Sequence, residues 1–172
     1  MNTVNCVGVM GKGVALAFRE QERFAAMYRD YRRRCTNGEV KPGEPYMFPP
    51  QSSGALETVE QRSFFDPGEP MAPEVQPEPW VLNFPTKQHW RGRSKIEYIE
   101  NGLAHLERHY EEWNITSLAL PALGCENGGL RWTVVGPLLR ERLSQLRIPV
   151  FLYLPRNVPE EQARAEYAAD ST

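Results

Sequence analysis

The sequence predicts an α/β protein built on a largely parallel sheet, and three observations lead to this prediction. Short apolar runs typical of strands alternate with longer segments whose apolar residues recur at helical spacing. The strand runs are apolar on both faces, which is typical of a parallel sheet covered by helices on both sides. The chain of 172 residues is long enough for one domain with a sizeable core. Such sheets bind ligands beyond the carboxyl ends of their strands.

The first elements are a strand end, TVNCV, a glycine-rich turn, GVMGKG, and a helix. The helix is predicted to run from VALAFRE through RFAAMYRDYRRRC, because Phe18, Met27 and Tyr31 recur at roughly helical intervals. A turn, TNGEVKPGE, and a short strand, PYMF, follow it. Residues 49–79 are rich in proline and lack periodicity, which predicts a long loop.

The segment after this loop begins with the strand WVLNF. The next motif, SKIE, predicts a capping box in which Ser94 is the N-cap and Glu97 reaches back to it. It opens an amphipathic helix. The apolar face of that helix is predicted to contain Ile96, Ile99, Leu103, Leu106, Tyr110 and Trp113.

The remaining elements are a buried strand, ITSLALPAL, a second glycine-rich turn, GCENGG, a helix, and a final strand, VFLYL. That helix carries apolar residues at helical spacing, from Val135 to Leu146. The polar segment that follows predicts a loose helix. We therefore divide the chain into a domain of residues 1–155, with the loop 49–79 inserted, and a tail of residues 156–172.

Composition excludes several classes of function. A net charge of −2 argues against a general electrostatic nucleic-acid binder, so any nucleic-acid contact is expected to be local. The cysteines Cys6, Cys35 and Cys125 have no paired spacing and indicate reduced thiols in the cytoplasm. Without a CxxC pair we expect no metal site. No apolar run approaches the length of a membrane span, so we expect no membrane partner.

Polar residues and glycines are concentrated at the ends of three predicted strands, in the segments NTVNCVGVMGKG, NFPTKQHW and PALGCENGGLRW. The first glycine turn is not a phosphate-binding P-loop, because Cys6 and Gly13 occupy positions where that motif needs Gly and Ser or Thr. Each glycine turn fits either a simple tight turn or a loop that presents backbone N–H groups to an anion. Two such turns and a lysine at a strand end, Lys87, support a diphosphate-binding site and a purely structural role of the turns about equally.

These three segments, in this order and with this spacing, resemble the macrodomains of DarG, the antitoxins of DarT–DarG toxin–antitoxin pairs. The resemblance covers most of residues 2–155. It implies a three-layer α/β/α macrodomain, with a mixed, largely parallel central sheet, that binds ADP-ribose at its strand ends. It also implies a hydrolase, without a cofactor, that removes ADP-ribose from thymine bases of single-stranded DNA. A cognate DarT-like toxin is then an expected partner.

The resemblance also implies which residues form the site. Lys87 stands at the position of the catalytic lysine, and Asn5 at that of the asparagine that holds the distal ribose, so we expect both to be catalytic residues. The other implied ligand-binding positions are Asn2, Gly8, Met10, Gly11, Gly13, Thr86, His89, Gly124, Cys125, Asn127, Gly128 and Gly129.

Two roles for Lys87 remain open from the sequence. Cleavage of an N-glycosidic bond develops positive charge on the ribose and negative charge on the departing base. A lysine ammonium would stabilise the base, whereas a neutral amine would attack the ribose. The neutral form requires a lowered pKa, for which burial or the nearby Arg91, Arg93 and Lys95 would be the cause.

The residues around Lys87 each have two interpretations. His89 is either a proton shuttle or a structural hydrogen-bonding residue. Trp90 and its neighbouring cations either stack on a short single strand or form a partly buried turn. Cys125 is not expected to be a nucleophile, because no histidine lies near it in sequence to activate it.

Two departures from the family pattern affect function. Relatives have about two strands before Asn2, so we expect this chain to be shortened at its N-terminus. Glu126 replaces a glycine, and a solvated carboxylate beside a diphosphate is repulsive by roughly 1 kcal/mol. Two alternatives therefore stay open. One is a macrodomain hydrolase that acts on ADP-ribosylated protein, and the other is a non-catalytic ADP-ribose-binding module.

Overall fold

The computed structural model describes residues 1–50 and 80–168, so nearly all of the predicted loop at 49–79 lies outside the described residues. Within these ranges no helix combines the length and apolar character needed to span a bilayer. In chain order the elements are β1 (Asn2–Asn5), α1 (Gly13–Arg19), a 3₁₀ turn (Glu22–Phe24), α2 (Ala25–Thr36), β2 (Tyr46–Phe48), β3 (Val81–Lys87), α3 (Ile96–His109), β4 (Leu118–Pro121), α4 (Trp132–Leu143), β5 (Val150–Tyr153) and α5 (Glu160–Ala168).

The strands form a mixed, largely parallel arrangement, as predicted. Strand β3 lies between β1, which is parallel to it, and β2, which is antiparallel. Strands β4 and β5 form a second parallel pair. The backbone nitrogen of Met1 donates to the carbonyl of Ala119 over 2.6 Å, which joins the start of β1 to β4.

Helices cover both faces of β3, and the alternation of its side chains shows why. Val81 packs with Val4 in a core cluster with residues of α1 and α2. Leu82 and Phe84 point the other way and pack in a second cluster with α3 and α4. Since successive side chains of a strand point to opposite faces, these two clusters lie on opposite sides of the sheet. The three-layer α/β/α prediction is confirmed.

Strand β5 departs from the expectation that helices cover both faces of every strand. Its side chains alternate between half-buried and exposed along the strand. Phe151 is 59% exposed and Tyr153 is 68% exposed. The side chains between them, Val150 and Leu152, pack against the α3–α4 cluster. In the described part of the chain, therefore, only one face of β5 is covered.

The single helix predicted after the first glycine turn is wrong, because the structure divides it into two. Helix α1 ends at Arg19, and Gln21 then takes an extended conformation with φ −93° and ψ 122°. This break carries Phe24 into the core, where it is 7% exposed. Its ring centroid lies 4.7 Å from that of Phe18. Aromatic burial outweighs the continuity of the helix here.

The helix expected in the polar tail is present, and it is packed rather than loose. Trp132 at the start of α4 donates its indole N–H to the carbonyl of Ala163 over 2.8 Å. Its ring also stacks on Tyr167 at a centroid distance of 6.3 Å. Ala163 is fully buried in the α3–α4 cluster. Helix α5 therefore contributes to the core.

Gly102 on α3 provides a test of this packing, because the outer end of the Phe84 ring lies directly against it. A Cβ at position 102 would lie 2.6 Å and 2.9 Å from two ring carbons of Phe84, which is fully buried. Alanine normally stabilises a helix by about 1 kcal/mol over glycine. Overpacking of a tight core costs about 1–3 kcal/mol or more and should prevail. We expect Gly102→Ala to lower the free energy of unfolding in urea.

The matched control is Gly136→Ala on α4, where the nearest atom, on the Trp132 ring, would be 3.0 Å from the new Cβ. We expect a smaller loss of stability there, since a shift of a few tenths of an ångström relieves the contact. Equal stability of Gly102→Ala and the wild type would contradict the packing of Phe84 on α3.

Candidate ligand site at the strand ends

The three predicted strand ends meet at one edge of the structure. The end of β1 pairs with the end of β3 through Asn5 and Lys87, after a register shift between Val4 and Asn5. The Lys87 amine donates to the carbonyl of Asn127 in the second glycine loop, residues 124–129. A Cβ on Gly13, at the end of the first glycine loop, residues 7–13, would lie 2.7 Å from the Asn127 side-chain nitrogen. The predicted convergence is confirmed.

Asn5 fixes the shape of the first loop. Its side-chain oxygen accepts the backbone N–H groups of Val7 and Val9, over 3.0 Å and 3.4 Å. Its side-chain nitrogen donates to the carbonyl of Val9 over 2.5 Å. Asn5 is buried, so these bonds are shielded from water. The residue predicted to hold a ribose therefore also supports the loop beside it.

Tyr31 on α2 contributes to the same network, and the sequence analysis placed it only in the helix core. Its hydroxyl lies 2.9 Å from the backbone oxygen of Asn5 and 3.0 Å from its side-chain oxygen, and donates to them. The tyrosine is fully buried, and this burial raises its pKa. The phenol therefore stays protonated and remains a donor. Because 26 residues separate the two partners, no local sequence signal indicates the pairing.

Cys6, which follows β1, holds the backbone at the end of β3 through two hydrogen bonds. Its thiol donates to the carbonyl of Lys87 over 3.3 Å, and its backbone N–H donates to the carbonyl of Gln88 over 3.2 Å. Burial raises the pKa of this thiol to about 12, so it is neutral at physiological pH. Cys6 therefore acts as a hydrogen-bonding part of the strand junction.

Lys87 is half-buried, and its pKa is lowered from the ordinary lysine value. Burial is the larger cause, and the positive charge of Lys12 in the first loop is the second. Arg91, Arg93 and Lys95 were predicted as alternative causes of a lowered pKa. The charge that contributes is instead that of Lys12, which is distant in sequence. Lys12 of the first loop and Lys87 at the end of β3 are therefore close enough for their charges to interact.

The second loop rests on Ser94, which is not a helix cap. The N-cap of α3 is Lys95, and no side chain caps the helix, so the predicted capping box is wrong. The Ser94 N–H donates to the carbonyl of Gly128 over 3.0 Å, and its buried hydroxyl has no hydrogen-bond partner among the described residues. A Cβ on Gly128 would overlap this hydroxyl and the carbonyl oxygen of Gly124. Only glycine fits at position 128.

Glu126 is exposed, and its carboxylate bonds away from the first loop. It accepts the backbone N–H of Arg156 over 3.4 Å, in the segment that follows β5. A cleft of about 390 Å³ lies there, lined by Glu126, Arg156 and Asn157. The Lys87 amine bonds instead to the next residue of the second loop, Asn127, so the carboxylate is not its hydrogen-bond partner.

Two residues predicted to bind ligand have fully buried side chains, and their ligand contacts stay a prediction. Asn2 is fully buried, and its side chain donates to that of Asn83 over 2.9 Å. Met10 is also fully buried and packs with α1 and α2 residues. In this structure, therefore, neither side chain is exposed at the edge where the two glycine loops meet.

The other predicted positions lie within the two loops or at the end of β3. Thr86 is 4% exposed. Cys125 is buried, its thiol donates to the carbonyl of Leu123, and burial raises its pKa to about 12, in line with a non-nucleophilic residue. His89 is exposed and its ring nitrogen accepts the backbone N–H of Arg91 over 3.2 Å, which is a structural bond. The remaining loop positions are Gly8, Gly11, Gly13, Gly124, Asn127, Gly128 and Gly129.

Among the residues that the structure describes, no group of three His, Cys, Asp or Glu side chains is placed to hold a metal ion. The site therefore consists of backbone loops, amide and hydroxyl groups, and lysines. Such a set suits an anionic organic ligand with a diphosphate group, because N–H donors and ammonium groups both favour negative charge.

Comparison with known proteins agrees with this description. A family model described as "Macro domain" matches residues 72–139. A DNA ADP-ribosyl transferase–DNA ADP-ribosyl glycohydrolase fusion protein of Thermosipho africanus is 40% identical over 171 residues, which cover 98% of this chain and 42% of that protein. The chain thus spans about two fifths of the length of this curated relative.

Two solved structures are similar in fold as well as in sequence. The macrodomain of Mycobacterium tuberculosis DarG aligns with a TM-score of 0.72 and 37% identity, over 90% of this chain and 86% of that one. Thermosipho africanus DarTG in complex with ADP-ribose aligns with a TM-score of 0.74 and 39% identity, over 94% of this chain and 39% of that one. The three-layer fold, with two glycine loops at its strand ends, defines a macrodomain. The chain belongs to the DarG macrodomain family.

Proposed function

We propose that this macrodomain binds ADP-ribose at its strand ends and releases it from thymine bases of single-stranded DNA by hydrolysis. The observation that carries the proposal is the bond from the Lys87 amine to the Asn127 carbonyl, which joins the end of β3 to the second glycine loop. The relatives support it, since one is a DNA ADP-ribosyl transferase–DNA ADP-ribosyl glycohydrolase fusion protein, and the solved structure of Thermosipho africanus DarTG is a complex with ADP-ribose.

The diphosphate would lie between the first and second loops. Lys12 and Lys87 supply two positive charges on this side of the fold, and Lys12 is close enough to lower the pKa of Lys87. A diphosphate would relieve the repulsion between these lysines, because it places negative charge between them. Its binding would thereby raise the pKa of Lys87 towards the ordinary value.

Hydrolysis breaks the bond between C1 of the ribose and the thymine nitrogen. Water adds its oxygen to the carbon, and its protons remain on the new hydroxyl and the departing base, so free ADP-ribose and unmodified DNA result. The Lys87 ammonium would stabilise the negative charge on the departing base, whereas the neutral amine would attack the carbon first.

The pH dependence of a single turnover separates these two roles. An ammonium is the working form if the rate falls as the pH rises through the pKa of Lys87. A neutral amine is the working form if the rate rises through the same pKa. At subsaturating concentrations, where the rate reports the free protein, the change occurs below the ordinary range of a lysine, because burial and Lys12 lower this pKa.

Two measurements test the proposed function. Isothermal titration with ADP-ribose should show saturable binding, and a single strand modified on thymine should release free ADP-ribose. Binding without release would contradict the hydrolase and favour the non-catalytic module. Release from ADP-ribosylated protein, but not from DNA, would favour the protein hydrolase.

We also infer a cytoplasmic location and a DarT-like toxin as the partner. The cysteines at positions 6, 35 and 125 are all free thiols, which suits a reducing compartment. The curated relative in Thermosipho africanus carries a transferase and a glycohydrolase in one chain, which supports a functional link between the two activities.

A further inference from the structure

The turn that follows β3 presents two stacked rings, those of His89 and Trp90, which we call the Trp90 plate. Trp90 is 45% exposed. Its ring stacks on that of His89 with centroids 5.5 Å apart and planes inclined by 28°. The guanidinium carbon of Arg91 lies 4.5 Å from the Trp90 centroid. The N–H of Gly92 donates to the carbonyl of His89 over 3.0 Å, so the backbone turn holds these groups together.

The cations beside the plate are not neutralised. Arg91, Arg93 and Lys95 are exposed, and within the described ranges none of them forms an ion pair with a carboxylate. Other arginines of the fold do form such pairs, for example Arg33 with Asp30. In a chain with a net charge of −2, this is a local concentration of unpaired positive charge.

The plate lies close to the ligand site. Trp90 follows Lys87 by three residues, so their Cα atoms are at most about 11 Å apart. Arg93 belongs to the same edge, because its Nε would lie 3.5 Å from a Cβ on Gly129 of the second loop. A group bound at Lys87 and a base on the plate would therefore be separated by about one or two nucleotides.

We propose that the Trp90 plate binds a base adjacent to the modified thymine of a single DNA strand, while Arg91, Arg93 and Lys95 contact the flanking phosphates. This inference rests on the proposed function for the position of the modified base. Aromatic stacking combined with a short track of cations is how proteins hold single strands without reading sequence. In a duplex the bases are already stacked on one another and cannot join the plate.

The test measures the affinity for an unmodified short oligothymidylate at low salt, by fluorescence anisotropy. Trp90→Ala should weaken binding by on the order of tenfold, the loss expected for one base–aromatic stack. Trp90→Phe, which keeps a ring, should lose less. Trp80→Ala removes another tryptophan that is 56% exposed and should have no effect. Because the plate lies outside the glycine loops, all three variants should bind ADP-ribose like the wild type.

The salt dependence tests the cations separately. The Arg91→Ala/Arg93→Ala double variant should reduce the slope of log affinity against log salt by about 1.4, which corresponds to two lost phosphate contacts on a single strand. The inference is overturned if the wild type has no measurable affinity at low salt, or if Trp90→Ala stays within twofold of it. Equal binding of a duplex would also overturn it. Strand binding through Trp90 without release of ADP-ribose would support the plate and overturn the proposed function.

Discussion

Lys87→Ala should reduce the release of ADP-ribose from thymine-modified single strands by at least on the order of 10²–10³-fold. Both roles open to the lysine, stabilisation of the departing base and attack on the ribose, need its amine, and removal of one well-placed charge-stabilising group has about this effect. The amine makes a hydrogen bond to the Asn127 carbonyl, so the loss of stability should be about 1 kcal/mol. Single-turnover assays with radiolabelled ADP-ribose measure the effect.

The matched control is Lys41→Ala, since Lys41 is an exposed lysine outside both glycine loops. This variant should release ADP-ribose at the wild-type rate. Lys87→Arg adds a second comparison, because arginine keeps the positive charge but is not a nucleophile. Wild-type turnover by a folded Lys87→Ala protein would exclude the lysine from catalysis, whichever role it is given.

Gly128→Ala should weaken ADP-ribose binding at least about tenfold and should also destabilise the fold. The new Cβ would overlap the Gly124 oxygen and the Ser94 hydroxyl, and would lie 2.7 Å from the Gly124 carbonyl carbon. Two of these atoms belong to backbone, so the second loop itself must move. Overpacking of this kind costs about 1–3 kcal/mol. Titration calorimetry and urea unfolding measure the two effects.

Gly38→Ala is the control that distinguishes the effect of moving the second loop from the general cost of replacing a glycine. Gly38 has a φ of +71°, but a Cβ there would have no neighbour within 4 Å. Its replacement should cost about 1–2 kcal/mol of stability through backbone strain alone, with unchanged ADP-ribose affinity. A folded Gly128→Ala protein with wild-type affinity would show that the second loop does not form the binding site.

The layers of the fold and the convergence of the three strand ends could both be predicted from the sequence. Alternating strands and helices imply parallel strands, and parallel strands place their carboxyl ends together. Lys87 and the two glycine loops follow from that rule. The break between α1 and α2 could not be predicted from the sequence. The burial of Phe24 depends on a tertiary contact with Phe18, and helical spacing does not reveal such a contact.

Side-chain direction explains the remaining differences. Asn2 and Asn5 are both strand asparagines, yet one pairs with Asn83 in the core and the other supports the first loop. Ser94 precedes a helix with a glutamate three residues later, which is the pattern of a cap, but the second glycine loop lies against its hydroxyl. Contacts between segments far apart in sequence decide these roles, and local patterns do not contain them.

The hydrogen bonds around Asn5 have a consequence for the entropy of ligand capture. Because Tyr31, anchored in a helix, and the amides of Val7 and Val9 already saturate the Asn5 oxygen, the first loop is ordered before any ligand arrives. An arriving nucleotide would then meet a rigid receptor and would not have to immobilise the backbone itself. Selectivity would follow, since a receptor that cannot rearrange cannot adapt to a ligand of different shape.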